Sequence, residues 1–105
     1  MVTAEEFKSI ALIFPGTLEA PHFDRIAFKV IKRKTFATLL EKNFSANILL
    51  SRKDQPLFCS YNTASVYPVD NKWGLQGWTT FNLQEVNREL ISAALEAGYN
   101  NVLKG

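Results

Sequence analysis

The chain has 105 residues, 47% of them hydrophobic and 12% aromatic, enough for one core without disulfide or metal staples and too apolar for a disordered segment. Its net charge of +2 conceals a polarity: residues 25–53 hold eight of the twelve Lys and Arg residues and one acid, Glu41, while the flanking stretches are net acidic. Cys59 is the one cysteine and His22 the one histidine, which excludes an intrachain disulfide and a cysteine-built zinc site and leaves any metal mostly to oxygen ligands.

The opening Thr3-Ala4-Glu5-Glu6 is acidic, and the longest uncharged apolar run spans residues 10–15, far short of the roughly 20 residues that cross a bilayer. A soluble cytoplasmic protein with no cofactor and no membrane partner is expected.

Thr3-Ala4-Glu5-Glu6 reads as a capping box, in which the Thr3 hydroxyl accepts from the Glu6 N–H and Glu6 reaches back. Phe7, Ile10, Ala11 and Phe14 follow at helical spacing, and Pro15-Gly16 stops that helix. From Leu18 the period changes to two. Ile26, Phe28 and Val30 alternate with Ala27, Lys29 and Ile31, and a second apolar run covers residues 36–40. The two runs predict a hairpin whose turn is three consecutive cations, Lys32-Arg33-Lys34. Another strand is expected at 46–50, then a short helix toward Tyr61, capped by Ser51 or, given Pro56 in the first turn, by Asp54.

Val66-Tyr67-Pro68-Val69 predicts a short strand that its proline confines to an edge or a bulge. A glycine-punctuated connection, Trp73-Gly74-Leu75-Gln76-Gly77-Trp78, leads into a strand at 78–81. Asn82-Leu83-Gln84-Glu85 reads as a second capping box, opening a long helix with Leu83, Val86, Leu90, Ile91, Ala94 and Ala97 on its apolar face. Tyr99, Val102 and Leu103 keep the period past Gly98, so the helix is expected to continue. The order predicts a single α+β domain over residues 1–105. It would be a two-layer fold, an antiparallel sheet of about five strands with the N- and C-terminal helices on one face.

Several stretches, in order along nearly the whole chain, resemble the MmcQ/YjbR family of small bacterial proteins. They are Phe14-Pro15-Gly16, Pro21-His22-Phe23, Ala27-Phe28, Phe36-Ala37-Thr38-Leu39, Leu50-Ser51, Asp54-Gln55, Phe58-Cys59, Tyr67-Pro68-Val69, Asn71-Lys72-Trp73-Gly74 and Gly77-Trp78-Thr79. The resemblance implies an α+β fold likened to CyaY and to secretion chaperones. It also implies a double-wing arrangement, for which family members are labelled DNA-binding by fold analogy; it carries no catalytic residues. The chain departs from the family's Pro-Val-Pro pattern at Tyr67-Pro68-Val69-Asp70, which sets an acid beside that turn.

Lys32, Arg33 and Lys34 at a hairpin tip suit contact with successive phosphates of double-stranded DNA, with Arg25, Lys29, Arg52 or Lys53, and Lys72 extending the stripe. Such contacts position without reading sequence. The plainer expectation is a solvated turn whose lysines protect a sheet edge. His22 enters a strand beside Pro21, with Asp24 expected on its sheet face, and serves either as a structural group or as a proton-transfer or ligand-orienting one. Trp73 and Trp78 either cover one end of the core, with Gly74 and Gly77 supplying positive φ, or line a groove with His22.

Cys59 reads as a small buried hydrophobe. Phe7, Phe14, Phe28, Phe36 and Phe81 read as core. No phosphate loop, hydrolase elbow or paired-carboxylate pattern occurs, so no enzyme activity is expected. Three functions remain open: phosphate contact with DNA, a protein-interaction module using an exposed sheet face or edge, and a small-ligand site at His22, Trp73 and Trp78.

Overall fold

In the computed structural model, which describes residues 1–105, a capping box starts α1 (Ala4–Ile13). Thr3 Oγ1 accepts from the Glu6 N–H at 3.1 Å, and Glu6 Oε1 accepts from the Thr3 N–H at 3.0 Å. There follow β1 (Thr17–His22), β2 (Arg25–Val30), β3 (Thr35–Leu40), a 3-10 turn at Glu41–Asn43, β4 (Ser45–Leu49) and α2 (Asp54–Cys59). The chain ends with β5 (Val66–Pro68), α3 (Lys72–Leu75), β6 (Trp78–Asn82) and α4 (Arg88–Lys104). The fold is α+β. Its sheet has six antiparallel strands in the order β1-β2-β3-β4-β6-β5, one more than expected because residues 17–22 pair with β2 along their whole length.

Alternation along the central strands separates the two faces of this sheet. On one face the cross-strand row Ile26–Leu39–Ala46–Phe81–Val66 and its neighbour Phe28–Ala37–Ile48–Thr79 meet the helices. Phe28, Leu39, Ala46, Ile48, Phe81 and Val66 are fully buried there. Phe7 of α1 meets Phe28 edge-on at 5.8 Å, and Phe58 of α2 meets Phe81 at 6.3 Å. Tyr99 of α4 stacks on Phe14 and donates to the Pro15 carbonyl at 2.6 Å, which ties the two ends of the chain together. Pairing steps from Phe28↔Ala37 to Lys29↔Thr35, so Phe36 is the extra residue of a bulge. The bulge lets Phe36 and Ala37, adjacent in sequence, both be buried.

Three expectations need correction. Asn82-Leu83-Gln84-Glu85 forms a turn and does not begin α4: Asn82 Oδ1 accepts from the Gln84 N–H at 3.1 Å, and Glu85 accepts from the Ser65 hydroxyl at 2.8 Å. The helix starts one turn later, where Asn87 Oδ1 accepts from the Leu90 N–H at 2.8 Å. Ahead of α2, the Ser51 hydroxyl accepts from the Asp54 N–H at 3.0 Å, but the helix-capping residue is Lys53, without a side-chain cap, and Asp54 lies inside the helix. The third correction is α3, where a glycine-punctuated connection was expected.

Candidate functional site

The face of the sheet turned away from α1, α2 and α4 is open and carries a different row, Ala20–Ala27–Thr38–Asn47–Thr80–Tyr67, running across all six strands. Its middle is polar and internally bonded. Thr80 donates its hydroxyl to Asn47 Oδ1 at 2.8 Å, and Arg25 donates through a guanidinium nitrogen to Thr38 Oγ1 at 3.3 Å.

The antiparallel order brings the β2–β3 turn, the end of β4, the end of β5 and the start of β6 to one end of the sheet. Lys32, Arg33 and Lys34 sit in that turn, with Lys32 in the left-handed region at φ 63°. Arg52 and Lys53 follow β4 at the same end, and Lys72 opens α3, its ammonium 5.7 Å from the ring centre of Trp73. Lys29 lies one step inside on β2, exposed.

Seven of these cations, Lys29, Lys32, Arg33, Lys34, Arg52, Lys53 and Lys72, have no carboxylate within ion-pair distance. The three ion pairs are Lys8–Glu41, Lys42–Asp24 and Arg88–Glu6. Asp54 and Asp70 stand at the basic end without pairing. Arg25 belongs elsewhere: it begins β2 at the opposite end of the strand, across from His22, and does not join the hairpin cluster.

Arg25 instead lines a cavity of about 230 Å³ on the open face. His22, Thr38 and Asn47 share its polar side, while Val69, Trp73 and Trp78 form its apolar side. All three pocket candidates of the sequence therefore line one cavity. The expectation that the indoles cover the core is overturned, because neither belongs to the apolar cluster and Trp73 is 48% exposed. On the far side of the two indoles a wider depression of about 590 Å³ contains Lys34, Arg52 and Gln76. The tryptophans are thus a shared wall between the pocket and the basic end.

That wall is held by backbone proximity and by one amide. The Asn71 side chain caps α3, accepting from the Trp73 N–H at 2.9 Å. Gln55 of α2 directs its amide nitrogen at the carbonyls of Gly74 and Trp78 and at the Thr79 hydroxyl, 3.0, 3.3 and 3.1 Å away. Gly77 has φ 110°, and a Cβ there would lie 1.9 Å from the Leu50 carbonyl oxygen. Gly74, expected to need positive φ, is helical. It is required because a Cβ would lie 2.0 Å from the Val69 carbonyl oxygen.

The remaining candidates are ordinary. Asp24 lies in the β1–β2 turn, not on His22's sheet face, and its carboxylate meets Lys42 at 3.8 Å. His22 packs edge-on against Phe23 at 5.0 Å. Partial burial pushes the Cys59 thiol up from its usual pKa, which favours the protonated form. No cluster of three His, Cys, Asp or Glu residues is placed to hold a metal, and no helix is long and apolar enough to cross a membrane.

Sequence reasoning found His22, Trp73 and Trp78 but missed Thr38, Asn47, Val69 and Gln55. Thr38, Asn47 and Val69 join the pocket through strand order, and Gln55 through the approach of α2 to α3 and β6. Neither is visible in local periodicity.

No protein-family model and no curated protein matches the chain. Among solved structures it is similar to the crystal structure of Deinococcus radiodurans protein DR2400, which carries a DUF419 domain. The likeness has a TM-score of 0.82 at 22% sequence identity and covers 99% of this chain and 80% of that one. The chain therefore shares the fold of a protein that carries a DUF419 domain.

Proposed function

We propose that the protein binds double-stranded DNA through its phosphates, with the basic end of the sheet as the contact surface. The observation that carries this reading is the set of unpaired cations, Lys32, Arg33, Lys34, Arg52, Lys53 and Lys72, gathered at one end while every ion pair lies among other residues. Local charge of one sign, unneutralised and carried on long stems, steers a polyanion and releases its counterions. Contacts of this type fix position and carry no base sequence. The residues quoted for the MmcQ/YjbR resemblance and the fold shared with DR2400 support placing the chain in that family.

Strand addition by a protein partner is less well supported, because each edge strand contains a proline, Pro21 in β1 and Pro68 in β5. Proline at a sheet edge interrupts the pairing surface offered to another chain.

Fluorescence anisotropy of a labelled duplex tests the reading at 50 and 200 mM salt. With about four phosphates neutralised, log K should fall against log salt with a slope of about −3 to −4, a loss of roughly a hundredfold over that interval. The triple variant Lys32→Ala, Arg33→Ala, Lys34→Ala should bind more weakly at 50 mM and show a shallower slope. Absence of binding by the folded wild-type protein at 50 mM salt would overturn the proposal.

A further inference from the structure

The pocket on the open face has a chemistry of its own, distinct from that of the basic end. Its two sides differ: the indoles of Trp73 and Trp78 and the Val69 side chain on one, Arg25, His22, Thr38 and Asn47 on the other. No carboxylate lines it. Arg25 is half-buried, has no acid partner and makes one side-chain hydrogen bond, to Thr38. A guanidinium carries five N–H donors, so most of them remain for a ligand. Asn47 spends its oxygen on the Thr80 hydroxyl, and its amide nitrogen has no protein partner. The polar side is therefore rich in donors and positively charged, a surface that matches an acceptor-rich anion. The opposite side offers aromatic faces suited to a planar ring.

Size narrows the class further. About 230 Å³ falls below the roughly 300 to 1,000 Å³ of sites for drug-sized ligands. One ring system with one acidic group fits; an extended chain does not.

We propose that this cavity binds a small planar anion, an aromatic or heteroaromatic ring bearing a carboxylate or phosphate. The ring lies against Trp73 and Trp78, and the acidic group meets the Arg25 guanidinium and the Asn47 amide. The geometry behind this is the convergence of residues from β1, β2, β3, β4, β6, α3 and the β5–α3 turn on one opening. The site stands independently of phosphate contact at the basic end, since Lys32, Arg33 and Lys34 do not line it.

The test is a titration of ¹⁵N-labelled protein, followed through the two indole N–H resonances. The probes are benzoate and adenosine 5′-monophosphate, their neutral counterparts benzamide and adenosine, and inorganic phosphate, which has the charge without the ring. At least one ring-bearing anion should saturate and move both indole signals. It should bind roughly tenfold or more tightly than its neutral counterpart and than phosphate. Whether benzoate or the nucleotide binds separates an aromatic acid from a nucleotide source.

Arg25→Gln should weaken binding roughly tenfold or more. Asn47→Asp, which keeps the acceptor for Thr80 and adds a negative charge, should abolish it. The Lys32, Arg33, Lys34 triple variant should bind like wild type. The proposal is overturned if neither anion moves both indole signals by about 5 mM, if a neutral counterpart binds equally well, or if folded Arg25→Gln and Asn47→Asp proteins bind unchanged.

Discussion

The two faces of the sheet come from the same alternating strands yet do different work. Facing the helices, the rows are apolar except at Thr79 and buried except at Ile26, with Phe28 packed on α1 and Phe81 on α2. Facing away, the row Thr38–Asn47–Thr80 is partly buried and hydrogen-bonded to itself, with Arg25 and the indoles beside it. The first face gains its free energy from area removed from water. Polar groups on the second contribute only the small net value of exchanging water for protein partners. The contrast teaches that burial in this protein marks stability on one face and leaves polar side chains and indoles accessible on the other.

That contrast is broken most severely at Phe28. Its replacement by Ala should cost about 3 to 5 kcal/mol, because a fully buried ring in contact with Phe7 leaves a cavity. Thr80→Val, on the open face, should cost about 1 kcal/mol for one lost hydrogen bond. Urea unfolding of both variants checks the difference, and equal losses would show that the open face also carries the fold.

Gly77→Ala sharpens the comparison at the seam between face and wall. The new Cβ would collide with the Leu50 carbonyl at a φ that alanine rarely takes. A loss of roughly 2 kcal/mol is expected, together with a changed environment of Trp78 read by its fluorescence. An unchanged emission spectrum would mean that the wall is not built on that close approach.

Much of this was legible in the sequence, and what was not had a common cause. The Thr3–Glu6 capping box, the cationic β2–β3 turn and the edge position of Pro68 all depend on residues within a few positions of one another. Asn82–Glu85 misled because a capping-box spacing and an asparagine turn use the same groups. Leu83 and Val86 are buried from either conformation, so their spacing does not discriminate. The separation of Arg25 from the hairpin cations follows from the length of β2, whereas the meeting of Arg25 and Asn47 with Trp73 and Trp78 depends on the placement of β6 between β4 and β5. No local period records that placement.

The smallest predicted effect lies far from both faces. Hydrogen bonds from Thr3, helped by Arg88, hold the Glu6 carboxyl below the usual glutamate range. A carboxyl whose pKa is lower when folded stabilises above its unfolded value and loses that contribution as pH falls through the folded one. Acid unfolding of Glu6→Gln should therefore be slightly less steep below the ordinary glutamate pKa, whereas at neutral pH the variant should be slightly less stable than wild type. Coincident acid-unfolding curves would show that the α1 cap carries no measurable part of the acid sensitivity.

The strand order also sets when each surface comes into being. The β2–β3 hairpin joins neighbours in sequence, and such hairpins form in about 1 to 10 μs. The pocket requires residues from position 22 to position 78 and the insertion of a late strand between two earlier ones. Non-local pairing of that kind is slow, because loop closure must precede its reward. During refolding, the basic tip would thus exist before the cavity does, and a ligand of the cavity would recognise only the finished molecule.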